Sequence, residues 1–316
     1  MEAISLFAGV GGFELGFERA GIETILQAEQ DEKCQHVLER HWPEVERVTD
    51  VRDITTGTAD LIYGGFPCQD VSVAGRREGL GGERSSLWAE FARIAGTIRP
   101  RWCVIETVPG ILTTSGGRDF GRILHDLDEL GYGVAWATLD AQFFGVPQQR
   151  RRIFIVASDH GPGPAAVLAL ADRGGVHLAA SGTQRERSPL ALEAGARNAR
   201  TDGGSPWDGA YVTTTLQPVG GGADDNDAQG GHLIVGTGVR RLMPVESERL
   251  MGWPDDWTRW DVHGNEIADS HRYRMCGNGV VAPVAEWIGH RLVRVDSLLA
   301  NSPADAPGGG RGSPTM

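Results

Sequence analysis

Two side chains in this sequence have the chemistry and the setting for covalent and acid–base work, Cys68 and Glu106. Cys68 lies in Gly64-Gly65-Phe66-Pro67-Cys68-Gln69, directly after an apolar run, Asp60–Tyr63, that reads as a buried strand. A free cysteine is most often a small packing residue. Here the neighbours are Gly, Pro and Gln, and a polar run over 75–86 follows, with Arg76, Arg77 and Arg84. That setting suits a nucleophile in a loop that touches phosphate. A free thiol titrates near ~8.5, so such a site must help to generate the thiolate. Glu106 closes a second apolar run, Trp102–Ile105, where a carboxyl either caps the next turn or faces a ligand. Arg150-Arg151-Arg152 leads into apolar Ile153–Ala157. Charge clusters usually form a solvated face, but the residue adjoining the strand, Arg152, reads as functional and Arg151 as surface.

A second constellation opens the chain. Phe7-Ala8-Gly9-Val10-Gly11-Gly12-Phe13 joins a first strand to a first helix, and Glu29 ends the second strand. Glycines let the backbone turn tightly and approach a ligand, while a helix N-terminus offers unpaired N–H groups. On spacing alone a nucleotide site and a plain tight turn are equally good readings. Gly9-x-Gly11-Gly12 is not the full Gly-x-Gly-x-x-Gly, which counts against a nicotinamide or flavin site.

Elements must position these groups. Ile4–Phe7, Thr24–Ala28, Asp60–Tyr63, Trp102–Ile105, Val134–Leu139 and Ile153–Ala157 read as buried strands. Phe13–Ala20, Asp31–His41, Ser86–Ile98 and Phe120–Leu130 have helical spacing of apolar residues. The alternation predicts an α/β fold, a parallel doubly wound sheet with ligands at the carboxyl ends of its strands. From about 161 to 238 the chain is rich in Gly, Ala, Arg and Asp, without clear periodicity. Pattern returns at Val239–Trp257 and Tyr273–Leu299, and Val280–Leu292 reads as a packed helix. The expected division is a catalytic and cofactor-binding domain, 1–160 with 262–300, an irregular recognition domain, 161–261, and a disordered tail, 301–316. Trp253, Trp257 and Trp260 read as packing residues rather than base-stacking platforms.

Bulk properties bound the function. The net charge of −12 argues against a protein that coats nucleic acid, though basic residues can still gather in one cleft. Lys33 is the only lysine, so nearly all positive charge is arginine, a bias that codon usage in a GC-rich genome explains best, although arginine also forks phosphates and guanine edges better than lysine does. The four cysteines, Cys34, Cys68, Cys103 and Cys276, show neither pairing rhythm nor metal-ligand spacing. No apolar run approaches the ~20 residues of a membrane span, and the start of the chain does not resemble a secretion leader. These features predict a cytoplasmic protein with no metal and no membrane association.

With these blocks in order, the chain resembles the C5-cytosine-specific DNA methyltransferase family over nearly its whole length. Phe7 to Gly12 resembles the family's cofactor loop, Glu29 its ribose-binding acid and Asp53-Ile54 the pair that holds adenine. Pro67-Cys68-Gln69 resembles the catalytic loop, Glu106 the catalytic glutamate, and Gln148-Gln149-Arg150-Arg151-Arg152 the Gln-x-Arg-x-Arg block. Arg240-Arg241-Leu242 through Glu246 to Gly252-Trp253-Pro254 resembles the block that braces the recognition region. Cys276-Gly277-Asn278-Gly279-Val280 resembles the segment that closes the cofactor pocket. Two departures stand out. Thr107 replaces the usual Asn after the glutamate, and Met251 and Trp253 stand where Gln and Phe are common.

The resemblance implies a Rossmann-like fold that uses S-adenosylmethionine, with a smaller recognition domain inserted before the C-terminal segment. It implies that Cys68 adds to C6 of a flipped-out cytosine. Glu106 would serve N3, and Arg152 with Arg150 would serve O2 and the adjacent phosphate. To donate a proton, Glu106 must titrate above its ordinary ~4.3. Cofactor contacts are expected from Phe7, Ala8, Gly9, Val10, Gly11, Gly12, Glu29, Gln30, Asp53, Ile54, Pro67, Asn278, Gly279 and Val280. DNA contacts are expected from Gln69, Arg84, Ser85, Gln148, Thr214, Thr215, Leu216 and Arg240, with recognition in the insert. The implied partner is double-stranded DNA, met by a monomer, with a separately acting endonuclease in restriction systems. Rival readings are a cytosine-5 transfer-RNA methyltransferase and a catalytically inactive DNA-binding relative. A nicotinamide oxidoreductase would leave Cys68 unexplained.

Overall fold

The computed structural model describes residues 1–66, 86–159, 163–169, 213–214, 232–235 and 238–301. Seven strands form one sheet: β1 (Glu2–Leu6), β2 (Glu23–Ala28), β3 (Glu46–Val48), β4 (Leu61–Gly64), β5 (Trp102–Thr107), β6 (Gly133–Asp140) and β8 (Arg151–Ser158). Their order is β3-β2-β1-β4-β5-β8-β6. The two-residue strand β7 (Gln148–Gln149) pairs in parallel with β9 (Thr213–Thr214), and β10 (His232–Val235) forms a hairpin with β11 (Gly238–Arg241).

The sheet is not wholly parallel, which corrects the sequence-based expectation. β8 runs antiparallel to both of its neighbours, β5 and β6. The reason is the short link over 141–150, since a parallel return needs a crossover of a dozen or more residues. Asp140 shapes that link: its carboxylate accepts from the Gln142 and Arg150 backbone N–H groups, and Ala141 N–H donates to the Arg150 carbonyl. Direction matters for chemistry here. Antiparallel pairing sets the start of β8 beside the end of β5, so Glu106 lies opposite Phe154 and Thr107 opposite Ile153. A parallel β8 would carry Arg152 to the far edge of the sheet, about 20 Å away at ~3.3 Å per residue.

Side chains alternate across the strands and fill a core on each face. On one face Tyr63, Val104 and Phe154 pack with Phe13 and Phe17 of α1 (Gly12–Arg19) and Ile288 of α8 (Ala282–Ala300). On the other, Ile62, Cys103 and Ile105 pack with Trp88, Phe91, Ile123 and Leu127. Those residues belong to α3 (Ser86–Ile98) and α4 (Arg118–Glu129). Between β2 and β3 runs α2 (Glu32–His41), whose N-cap Asp31 accepts from the Lys33 and Cys34 N–H groups. The described residues also form helices α5 (Gly163–Leu168), α6 (Pro244–Leu250) and α7 (Asp269–Asn278).

Both ends of the expected recognition domain share the main core. Arg291 of α8 donates to the carbonyls of Val167 and Ala169, tying α5 to the catalytic body. Leu242, Leu250, Met251, Trp253 and Trp257 join the cluster around Phe13 and Phe17. Trp253 and Trp257 are therefore packing residues, as expected, but each also uses its indole N–H.

Candidate active site

The glycine loop is shaped by backbone that L-residues avoid. Phe7 (φ 58°), Gly9 (φ 59°) and Gly11 (φ 85°) all adopt left-handed conformations, and Gly11 is the N-cap of α1. With glycine there, no side chain caps the first N–H groups of α1. Glu29 locks the loop in place. Its two carboxylate oxygens accept from Gly9 N–H and Asp31 N–H, each at 2.8 Å. Burial raises the Glu29 pKa, an effect that those two N–H bonds oppose. Gln30 is exposed beside it.

Asp53 ends a single 3-10 turn, Val51–Asp53, that Asp50 caps. Asp53 is exposed, while Ile54 is buried. Arg93 of α3 fixes this turn by donating to the Ile54 and Val51 carbonyls, an anchor that local sequence did not reveal.

The late segment closes on the loop from the other end of the chain. Gly12 lies so close to the Val280 carbonyl that a Cβ could not fit. Trp257 donates its indole N–H to the Val10 carbonyl at 2.8 Å, and Trp253 donates to the Val280 carbonyl at 3.2 Å. Gly279 and Val280 are partly buried and Asn278 is exposed. The structure thus brings Phe7, Ala8, Gly9, Val10, Gly11, Gly12, Glu29, Gly279 and Val280 to one sheet edge.

Glu106 and Arg152 meet at the same edge. Arg152 Nε lies 2.9 Å from Glu106 Oε1, and their side chains are 16% and 13% exposed. Burial raises the Glu106 pKa, while the charges of Arg152 and Arg150 pull it down. The chain leading to Cys68 passes over this carboxyl: a Cβ on Gly65 would lie 2.8 Å from Glu106 Oε2. Phe66, the last described residue before the loop, is buried and packs against Trp88. Leu139, Phe154, Val280 and Val284 complete an apolar cavity around Glu106, Arg150 and Arg152.

Arg150 lines the same cavity and also reaches the late segment. It is buried, and its guanidinium donates to the carbonyls of Gly277 and Gly279, each at 2.8 Å. Burial and the neighbouring Arg152 charge push its pKa down to about 9, so it stays a cation at neutral pH. Its engagement makes it a brace for the late segment. Gln148 is likewise buried, and its amide donates to the Leu250 carbonyl. In both cases the partner carbonyls come from segments about a hundred residues away.

Cys34, Cys103 and Cys276 are buried, and burial raises each thiol pKa, that of Cys103 to about 12. They are packing residues, as expected. Pro67, Cys68, Gln69, Arg84, Ser85, Thr215 and Leu216 lie outside the described residues. Thr214 pairs with Gln149 in the β7–β9 ladder and Arg240 lies in β11 opposite Leu233. Among the described residues no His, Cys, Asp and Glu group of three or more could hold a metal. No described helix is long and apolar enough to cross a membrane.

Known proteins are similar to this chain in sequence and architecture. The family model for C-5 cytosine-specific DNA methylase matches residues 1–173 and 176–294. The Type II methyltransferase M2.BsuMI of Bacillus subtilis is 32% identical over 310 residues, covering 92% of this chain and 75% of the relative. The Type II methyltransferase M.HhaI of Haemophilus parahaemolyticus is 28% identical over 313 residues, covering 92% and 93%. Among solved structures, the S. pombe Dnmt2 methyltransferase superposes with a TM-score of 0.62 at 14% identity, covering 93% of this chain and 98% of that one.

Proposed function

The chain belongs to the C-5 cytosine-specific DNA methylase family and is a DNA (cytosine-5) methyltransferase, and we propose that it works by covalent catalysis through Cys68. The observation that carries this mechanism is the Glu106–Arg152 pair under Gly65, three residues before the cysteine.

The residues present fit S-adenosylmethionine. A helix N-terminus without a side-chain cap suits a carboxylate, and exposed Asp53 beside buried Ile54 suits an adenine edge and face. Glu29 has lone pairs left beyond its two backbone bonds, enough to accept from ribose hydroxyls. When bound there, the cofactor supplies an electrophilic methyl group.

The chain's own residues do the rest. Cytosine C5 is a poor nucleophile, and addition of the Cys68 thiolate at C6 makes it enamine-like. Negative charge then spreads toward N3 and O2. Glu106, which burial disposes to hold a proton, donates at N3, and Arg152 stabilises charge at O2. Arg152 also keeps the Glu106 proton labile, because its charge opposes the effect of burial. Loss of the C5 proton then releases Cys68. The base must leave the duplex stack to reach these groups.

Arg150 positions the segment 277–280 rather than meeting the base. The insert, roughly 161–238, reads the target, supported by its attachment beside the Gln148-Gln149 strand. In this reading the enzyme is a cytoplasmic monomer that acts on duplex DNA, and a cognate endonuclease acts separately. Proton and charge work falls to side chains, leaving no step that calls for a metal. The test is transfer of labelled methyl from S-adenosylmethionine to duplex DNA or to transfer RNA. Label in DNA supports the reading, and label only in RNA contradicts it.

A further inference from the structure

Gly279 is a glycine for a reason other than its own backbone. Its φ of −73° and ψ of 168° are extended values that any residue adopts. What excludes a side chain is the indole of Trp253: a Cβ at 279 would lie 2.6 Å from both Cη2 and Cζ2 of that ring. The indole is fixed in turn. Trp253 is 3% exposed, its backbone N–H donates to the Glu248 carbonyl, and the Met251 carbonyl two residues earlier accepts from Ala282 N–H. The same ring donates through Nε1 to Val280, whose carbonyl lies against Gly12 of the cofactor loop. Arg150 grips the segment from its other side, at Gly277 and Gly279.

We propose that Trp253 and Gly279 are a matched pair of positioning residues that set the wall of the cofactor pocket. The indole fills the volume a side chain at 279 would need, and its N–H holds Val280 at the distance that the cofactor loop requires. A bulge at 279 moves Val280 away from Gly12 and opens the pocket, so the pair acts on cofactor affinity. The inference rests on the S-adenosylmethionine reading given above.

A double-mutant cycle tests it with the full chain: wild type, Trp253→Phe, Gly279→Ala and the double variant. Three quantities are read: the thermal midpoint, the calorimetric dissociation constant for S-adenosylmethionine, and KM for duplex DNA. Phenylalanine keeps a ring but lacks the outer indole atoms and the N–H. Gly279→Ala should weaken cofactor binding at least about tenfold in the tryptophan background, about 1.4 kcal/mol. In the phenylalanine background the same change should alter affinity by less than about twofold, giving a non-additive cycle. KM for DNA should stay unchanged throughout. Equal effects of Gly279→Ala in both backgrounds would overturn the pairing. A lowered midpoint with unchanged cofactor affinity would overturn the positioning role. Should the wild type bind no S-adenosylmethionine, the enzymatic reading fails and takes this inference with it. Normal wild-type binding with an additive cycle removes the inference alone.

Discussion

Glu14 gives the protein a pH dependence of its own. It lies on α1, fully buried, and neither carboxylate oxygen has a hydrogen-bond partner. It faces a polar row across three strands, in which Ser5 is in register with Gln27 on one side and Tyr63 on the other. Burial raises its pKa from the ordinary 4.5 to about 7. The Ser5 hydroxyl and the helix's own N–H pull the other way without completing a bond, and the charge of Glu29 adds to the rise. At about 1.36 kcal/mol per pH unit, ionising Glu14 in the folded state costs on the order of 3 kcal/mol. The folded form keeps this proton at a pH where the unfolded chain has lost it. Stability from Glu14 is therefore complete below the ordinary carboxyl pKa and declines as pH rises through about 7. Glu14→Gln keeps the shape and cannot titrate. Denaturant unfolding of both proteins at about pH 5 and about pH 8 should show wild type losing on the order of 3 kcal/mol relative to the variant. The constant cost of burying an amide cancels in that comparison. Parallel stability curves over the whole range would refute the reasoning.

Three further outcomes are expected. Glu106→Gln should lower kcat by about 10²–10⁴-fold with cofactor affinity retained, as single-turnover methylation would show; near-normal turnover would remove Glu106 as proton donor. Arg152→Gln removes a charge that lowers the Glu106 pKa, so the alkaline limb of the pH–rate profile should move to higher pH; a shift to lower pH contradicts the pairing. Gly12→Ala forces a methyl onto the Val280 carbonyl and should cost about 1–3 kcal/mol of stability by thermal denaturation, together with cofactor affinity.

Much of the frame was legible because periodicity is local. Helix Ser86–Ile98 has the predicted bounds, and Asp31, at the start of the predicted 31–41 helix, is the N-cap of α2. Strand direction was not legible. Ile153–Ala157 is apolar whichever way it runs, and only the short link before it betrays the antiparallel return. β3, Glu46–Val48, was missed because a three-residue edge strand carries almost no alternation. At the site, Glu29 and Glu106 could be found because an acid ending an apolar run points to a sheet's ligand edge. Arg150 and Gln148 could not be placed, since their burial depends on carbonyls from Leu250, Gly277 and Gly279. The indole N–H bonds of Trp253 and Trp257 were hidden for the same reason. The resemblance supplied the roles, and the structure decided which arginine faces the carboxylate.

The central claim is the Cys68–C6 bond, and 5-fluorocytosine tests it most directly. Release of Cys68 requires removal of the proton from C5, and fluorine there cannot leave in that way. Duplex DNA with 5-fluorocytosine at the methylated position should therefore trap the enzyme after methyl transfer. The measurement is a denaturing gel of enzyme, fluorinated duplex and S-adenosylmethionine, run beside Cys68→Ser and a cofactor-free control. The account predicts a cofactor-dependent protein–DNA band that survives denaturation and is absent with the variant. An active wild-type enzyme that forms no such band at its own target site would contradict it.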